Sequence, residues 1–203
     1  PLIIDGAYGL PFPNILFTEA SPHWNDNTVL VLSLSKLGLP GVRTGIVVAR
    51  EEIVRAFTNA NTIVSLACGT LGPALARALF DSGEIRTLTR DYVTPFYRER
   101  SLQAVAWFRE ALGDLPWHVH KPEGAIFLWL WFDGLPISSQ ELYQRLKRRG
   151  VLIVPGHNFF VGMHDDWRHR QECIRVSYAR DSETVRRGIG IIAEEVQRAY
   201  EGN

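Results

Sequence analysis

Apolar residues in the first quarter of the chain come in short unbroken runs, and later in alternating or helically spaced patterns. Leu2-Ile3-Ile4 reads as a short, fully buried strand ending at Asp5. Thr28 to Leu32 reads as a second strand and Gly45 to Ala49 as a third. Near-continuous apolar runs of this kind mark strands covered by helices on both faces. Between the first two, Gly6-Ala7-Tyr8-Gly9 turns the chain, and Pro11 and Pro13 keep the next segment irregular.

The period then changes. Glu51 to Ile63 has helical spacing, with Ile53, Val54, Phe57 and Ala60 on one side. Gly72-Pro73 opens a helix to Phe80, with proline in its first turn. Glu84 to Leu112 repeats apolar positions at three and four residues but contains Pro95, which predicts two helices or one kinked helix joining two lobes. Trp117 to His120 alternates like a half-exposed strand, and Ile126 to Phe132 is a long aromatic strand. Ser138 or Ser139 caps a helix through Arg149 that ends at Gly150. Val151 to Val154 and Cys173 to Tyr178 read as strands. Ser182 is expected to cap a last helix to about Tyr200, burying Val185, Ile189, Ile192 and Val196. No repeat or low-complexity tract interrupts this order.

The stretch Ser33-Leu34-Ser35-Lys36-Leu37-Gly38-Leu39-Pro40-Gly41-Val42-Arg43 follows the second strand directly. Open α/β sheets bind ligands at the carboxyl ends of their strands. A lysine there is a candidate nucleophile toward a carbonyl. Two hydroxyls and an arginine beside it suit a phosphate, because a guanidinium forks onto phosphate oxygens. Together these residues suggest pyridoxal phosphate, with its aldehyde on Lys36 and its phosphate on Ser33, Ser35 and Arg43. A turn with a solvated lysine is the plain alternative for this stretch taken alone.

Composition narrows the classes. The 203 residues suit one domain or a domain and a half. Basic and acidic residues balance at 22 each, so no overall field draws the chain to nucleic acid or an anionic membrane. Two distant cysteines, Cys68 and Cys173, suggest reduced thiols and a cytoplasmic protein. No apolar run approaches the ~20 residues of a membrane span, and no signal peptide is expected before the first strand. The chain opens inside a strand pattern without methionine, so a fragment or cleaved chain is expected.

Three motifs in register carry a resemblance: Asp5-Gly6-Ala7-Tyr8, then Ser33-Leu34-Ser35-Lys36 with Arg43, then Ile174-Arg175-Val176-Ser177. Their order, spacing and strand-end placement resemble the fold-type-I aminotransferases that use pyridoxal 5'-phosphate. The likeness covers the whole chain but only the second half of the family's usual length. It extends to Tyr8–Pro13, Lys121–Phe132 and Val154–Phe160. It implies an α/β fold: residues 1–94 as the C-terminal part of a large, mostly parallel-sheet cofactor domain, and 95–203 as a small α+β C-terminal domain.

The resemblance also implies roles. Lys36 forms the Schiff base and afterwards moves a proton at the substrate α-carbon. Asp5 pairs with the pyridine nitrogen, and Tyr8 donates a hydrogen bond to the ring's phenolic oxygen. Ser33, Ser35 and Arg43 bind the phosphate. Arg175 holds the substrate α-carboxylate; an arginine between Ile174 and Val176 needs an anion if it points inward, and otherwise sits on the solvated face of an edge strand. The implied reaction exchanges an amino group between valine, or alanine, and a 2-oxo acid such as pyruvate. Alternatives are a broad alanine-type transaminase, a β-elimination lyase, or a regulator domain that binds the cofactor without turnover. A homodimer is expected, with no nucleic-acid or membrane partner.

Specificity is less legible. Phe127, Phe159 and Phe160 are candidate walls of an apolar pocket. No second basic residue marks a site for a side-chain carboxylate. His118 and His120 share a strand face, and His164-Asp165-Asp166 with His169 forms a polar cluster, but neither offers a complete metal-ligand set. The resemblance places a phosphate-binding turn, a ring-stacking aromatic residue and an asparagine before Pro1, so this chain alone is expected to bind the cofactor poorly and to be nearly inactive.

Overall fold

The computed structural model describes residues 1–163 and 165–202. The chain forms two compact units: Pro1–Phe96 with Glu123–Ala125, and Tyr97–Pro122 with Ile126–Asn203.

In the first unit, β1 (Leu2–Gly6), β2 (Thr28–Ser33) and β3 (Gly45–Val48) form one sheet in that order. β1 and β2 are parallel, with Asp5 opposite Val31 and Gly6 opposite Leu32. β3 is antiparallel to β2, with Gly45 opposite Ser33. Only the middle strand is well covered, burying Thr28, Val29 and Leu32. The expectation of a fully buried β1 is therefore corrected: Leu2 and Ile3 are exposed, because β1 is an edge of this sheet. An apolar cluster of Phe12, Leu32, Leu34, Ala76 and Ile85 fixes the segment after β2.

Helices α1 (Glu51–Ser65) and α2 (Leu71–Asp81) fall where the periodicity puts them. The apolar side of α1 is not buried, however; Val54 and Phe57 are exposed, and no element of the unit covers that face among the described residues. The stretch from Glu84 breaks before Pro95: α3 (Glu84–Leu88) runs into a single π-helical turn, Thr89–Val93, and then α4 (Thr94–Leu112). The Thr94 hydroxyl reaches back to the carbonyls of Thr89 and Asn14. Residues 123–125 join this unit through Phe17 N–H to Glu123 O at 2.9 Å and Ala125 N–H to Ile15 O at 2.8 Å.

The second unit is a four-stranded antiparallel sheet covered by helices on one face. Its strands are β4 (Trp117–Val119), β5 (Phe127–Phe132), β6 (Val154–Pro155) and β7 (Cys173–Ser177), in the order β4-β5-β7-β6. The predicted strand at Val151–Val154 is reduced to Val154–Pro155, the only residues there that pair with β7. Along β5, Leu128, Leu130 and Phe132 are buried, while Phe127, Trp129 and Trp131 are half-buried on the other face, as a period of two requires. The buried side packs with Ile174, Val176, Phe108 of α4 and Leu142 and Leu146 of α5 (Ser139–Arg148). A single turn, α6 (His169–Glu172), precedes β7, and the last helix, α7 (Ser182–Tyr200), buries Val185, Ile189, Ile192 and Val196 as its spacing requires. Each such side chain contributes about 1.5–3 kcal/mol on leaving water.

Ser138 caps α5 by accepting from Glu141 N–H. The cap of α7 is Asp181 rather than Ser182; its carboxylate accepts from Thr184 N–H at 2.8 Å. No helix among the described residues is long and apolar enough to cross a membrane.

Candidate functional site

Six candidate residues fall at one end of the first unit's sheet. Because β1 and β2 run parallel, Asp5 and Ser33 leave their strands in the same direction. Because β3 returns antiparallel, starting opposite Ser33, the Arg43-Thr44 segment comes back to that same end. Leu34 N–H donates to Thr44 O at 3.2 Å and closes the loop. Inside it, Ser35–Leu37 and Pro40–Val42 form two short 3₁₀ turns, and buried Leu34 anchors the first. Lys36 is thus held in a turn, half-buried, instead of trailing in a flexible loop.

The polar groups are arranged as follows. The amine of Lys36 lies 5.6 Å from the centroid of the Tyr8 ring. Tyr8 is fixed by its own backbone, since Ile15 N–H donates to Tyr8 O at 2.9 Å. Asp5 is exposed, and one carboxylate oxygen accepts from Ala7 N–H at 3.0 Å, which leaves its remaining lone pairs to an outside donor. Ser33 Oγ accepts from Ser35 N–H at 3.2 Å, a local bond that leaves the Ser33 hydroxyl proton to donate. Arg43 is exposed and sits at φ 47°, a left-handed conformation uncommon outside glycine. Among the described residues no carboxylate pairs with Lys36 or Arg43.

The seventh candidate, Arg175, belongs to the second unit. It sits on β7, between β5 and β6, opposite Trp129 on one side and Val154 on the other. That excludes a solvated edge strand. Its guanidinium carbon lies 4.2 Å from the Phe127 ring centroid and 4.8 Å from that of Phe159. Arg175 Nε is buried without a hydrogen-bond partner. With no carboxylate paired to it among the described residues, the guanidinium is suited to an incoming anion through its terminal nitrogens.

Phe127 and Phe159, expected as pocket walls, therefore lie against Arg175. Phe159 and Phe160 also touch Trp129, with centroids 5.2 and 6.2 Å away. Sequence reasoning missed Trp129 as the backing of this group. The alternation of Phe127-Leu128-Trp129-Leu130 placed it beside Phe127 and would have found it.

The remaining candidates are structural. His118 stacks on Trp131 at 4.6 Å, and His169 stacks on Trp167 at 4.7 Å. His164 lies outside the described residues, and among those described no group of three or more metal-ligating side chains forms. His157 Nδ1 meets Ser139 Oγ at 3.3 Å. Cys173 is buried, and burial pushes its thiol up to about 11, so it is no nucleophile near neutral pH.

Comparison with known proteins agrees with the motif order. A family profile, aminotransferase class I and II, matches residues 1–192. The chain is 51% identical to valine–pyruvate aminotransferase of Escherichia coli over 200 residues, which is 98% of this chain and 48% of that protein. It superposes on the crystal structure of valine–pyruvate aminotransferase from Salmonella typhimurium with a TM-score of 0.95 and 48% identity, covering 100% of this chain and 52% of the other. A multiple-substrate aminotransferase from Thermococcus profundus matches in fold, with a TM-score of 0.79 at 23% identity over 99% of this chain and 49% of the other. The chain spans about half the length of these relatives.

Proposed function

Because this chain belongs to the class I and II aminotransferase family, we propose that it carries the lysine-bearing part of an enzyme that moves an amino group between valine, or alanine, and a 2-oxo acid such as pyruvate. The observation that carries this is the convergence of Asp5, Ser33, Lys36 and Arg43 on one end of the sheet, in a chain 51% identical to a valine–pyruvate aminotransferase.

The donor set fits pyridoxal 5'-phosphate in kind: one amine, two hydroxyls and a guanidinium at the end of the sheet, with a phenol and a carboxylate beside them. Bound there, the cofactor supplies an aldehyde for amines and a ring that accepts electron density from the substrate α-carbon. Ser33, Ser35 and Arg43 would hold its phosphate. The Asp5 carboxylate would keep a proton on the pyridine nitrogen, and the Tyr8 hydroxyl would donate to the ring's phenolic oxygen. Once displaced by the incoming amino acid, the Lys36 amine would carry a proton off the α-carbon and return it elsewhere. Arg175 would take the substrate α-carboxylate in its fork and so fix which hydrogen is presented.

The intact protein is proposed to be a homodimer. Exposed Phe57, Ile63, Val64, Leu66 and Leu71 support further burial of the first unit's surface.

The test is an assay of the intact protein with added pyridoxal phosphate, valine and pyruvate. Alanine and the 2-oxo acid of valine should form in equal amounts. Release of ammonia without alanine would indicate a lyase instead.

A further inference from the structure

The outer face of the second unit's sheet carries a row of aromatic side chains and one guanidinium. Phe127, Trp129 and Trp131 of β5 alternate onto it, and Arg175 of β7 stands opposite Trp129. The turn Gly156–Phe159 brings Phe159 onto the same face. That turn is held close to β7: a Cβ on Gly156 would lie 2.5 Å from Cys173 O and 2.7 Å from Cys173 Cβ, so only glycine fits the crossing. Asn158 Nδ2 donates to Pro155 O at 3.3 Å and tightens the turn from within. Behind Phe159, the Trp129 ring meets it edge-on at 5.2 Å and 89°.

Two ring faces thus close on Arg175 at 4.2 and 4.8 Å, within the range at which a guanidinium is attracted to an aromatic quadrupole. Rings hold a cation without offering a lone pair in the guanidinium plane, so they fix its position and leave its N–H donors unspent. Nε is buried without a hydrogen-bond partner, and among the described residues no hydrogen bond or ion pair occupies the two terminal nitrogens. A carboxylate then meets the Nη1–Nη2 end of the fork and not its Nε side.

We propose that Phe127 and Phe159 are positioning residues for Arg175, orienting its terminal nitrogens so that a substrate monocarboxylate is bound end-on and in one plane. This rests on Arg175 being the carboxylate-binding residue. Phe159 is the more informative of the pair, because it is 43% exposed and its truncation leaves the core intact.

The experiment uses the intact protein loaded with pyridoxal phosphate and the variants Phe159→Leu, Phe159→Tyr and Arg175→Met. Isovalerate binding is measured by calorimetry, valine by steady-state kinetics, and isobutylamine, which lacks the carboxylate, by single-turnover absorbance. Phe159→Leu should weaken isovalerate and raise KM for valine by about tenfold, the size of a partly desolvated cation–π contact. It should leave kcat and the isobutylamine rate within about twofold of wild type, and Phe159→Tyr, which keeps the ring, should behave as wild type. If Phe159→Leu binds isovalerate normally while Arg175→Met loses it, the positioning role is wrong and the carboxylate role of Arg175 survives. If Phe159→Leu slows isobutylamine as much as valine, Phe159 acts on the fold and the positioning role is again wrong. If Arg175→Met itself binds isovalerate like wild type, the assignment of Arg175 fails, and the positioning role with it.

Discussion

The amine nitrogen of Lys36 stands 5.6 Å from the centroid of the Tyr8 ring. One residue lies in the turn after β2 and the other in the turn after β1, so the pairing of two parallel strands brings them together. Tyr8→Phe keeps the ring and removes the phenol. With the intact protein we expect kcat to fall on the order of tenfold, the value of one hydrogen bond to a charge-bearing oxygen, while the fold is unchanged. Absorbance of the loaded enzyme across pH should also shift, because the hydroxyl acts on the ring oxygen. Wild-type kinetics and spectra in the variant would remove Tyr8 from the site.

Thr94 tests how the Tyr8 loop is tied down. Its hydroxyl reaches the carbonyls of Asn14 and Thr89, and Asn14 itself sits at φ 50°. Thr94→Val should cost about 1 kcal/mol in a denaturant titration. Amide exchange should quicken at Asn14 and Ile15, whose N–H groups donate to Gly9 O and Tyr8 O. Unchanged exchange at those two amides would mean the loop is held by other contacts.

Two glycines should respond in opposite directions. Gly156→Ala drives a methyl into the β7 backbone at Cys173 and should destabilise by about 1–3 kcal/mol. Gly188→Ala, within α7, meets nothing within 4 Å and should stabilise by about 0.5–1 kcal/mol through helix propensity. Urea midpoints of the two variants measure both effects. A neutral Gly156→Ala would show that the turn does not press on β7.

The α7 cap sets an acid limit. The backbone N–H of Thr184 holds the Asp181 carboxyl below its ordinary value, with the Thr184 hydroxyl adding to the effect. A carboxyl lowered on folding adds stability above its unfolded pKa of about 3.9, and that stability is lost as pH falls through the lower folded value. Asp181→Asn still caps without titrating. The difference in urea midpoint between wild type and Asp181→Asn should therefore be constant near neutrality and shrink below about pH 4. A difference that does not vary with pH would show that the charge plays no part in the cap.

Much of this was readable in the residues, and the exceptions have physical causes. The Ser138 cap and the buried stripe of α7 are local matters of period and hydrogen bonding, and they fall where expected. Family membership was legible because three motifs at fixed spacing are hard to produce by chance. Burial was not legible in the same way. Leu2, Ile3 and the apolar side of α1 look like core residues, but burial needs a neighbour, and within the described residues none covers them. The α7 cap moved from Ser182 to Asp181 because either side chain suits the position, and only the backbone at Asp181 turns extended, with ψ 152°. The helix break moved from Pro95 to Thr89–Val93 because proline is tolerated in a first turn, and α4 begins at Thr94. The neighbours of Arg175 escaped notice because Phe127 and Phe159 are distant in sequence and meet it only through the pairing of β5 and β7 and the Gly156 turn.

The central claim is that Lys36 is the amine that bonds pyridoxal phosphate. Borohydride reduction of the intact, cofactor-loaded protein followed by peptide mapping tests it most directly. A stable pyridoxyl group on Lys36 Nζ, absent when valine is added first without a 2-oxo acid, is the expected result. A pyridoxyl group on any other lysine, or none on Lys36 under conditions where the enzyme turns over, would contradict it.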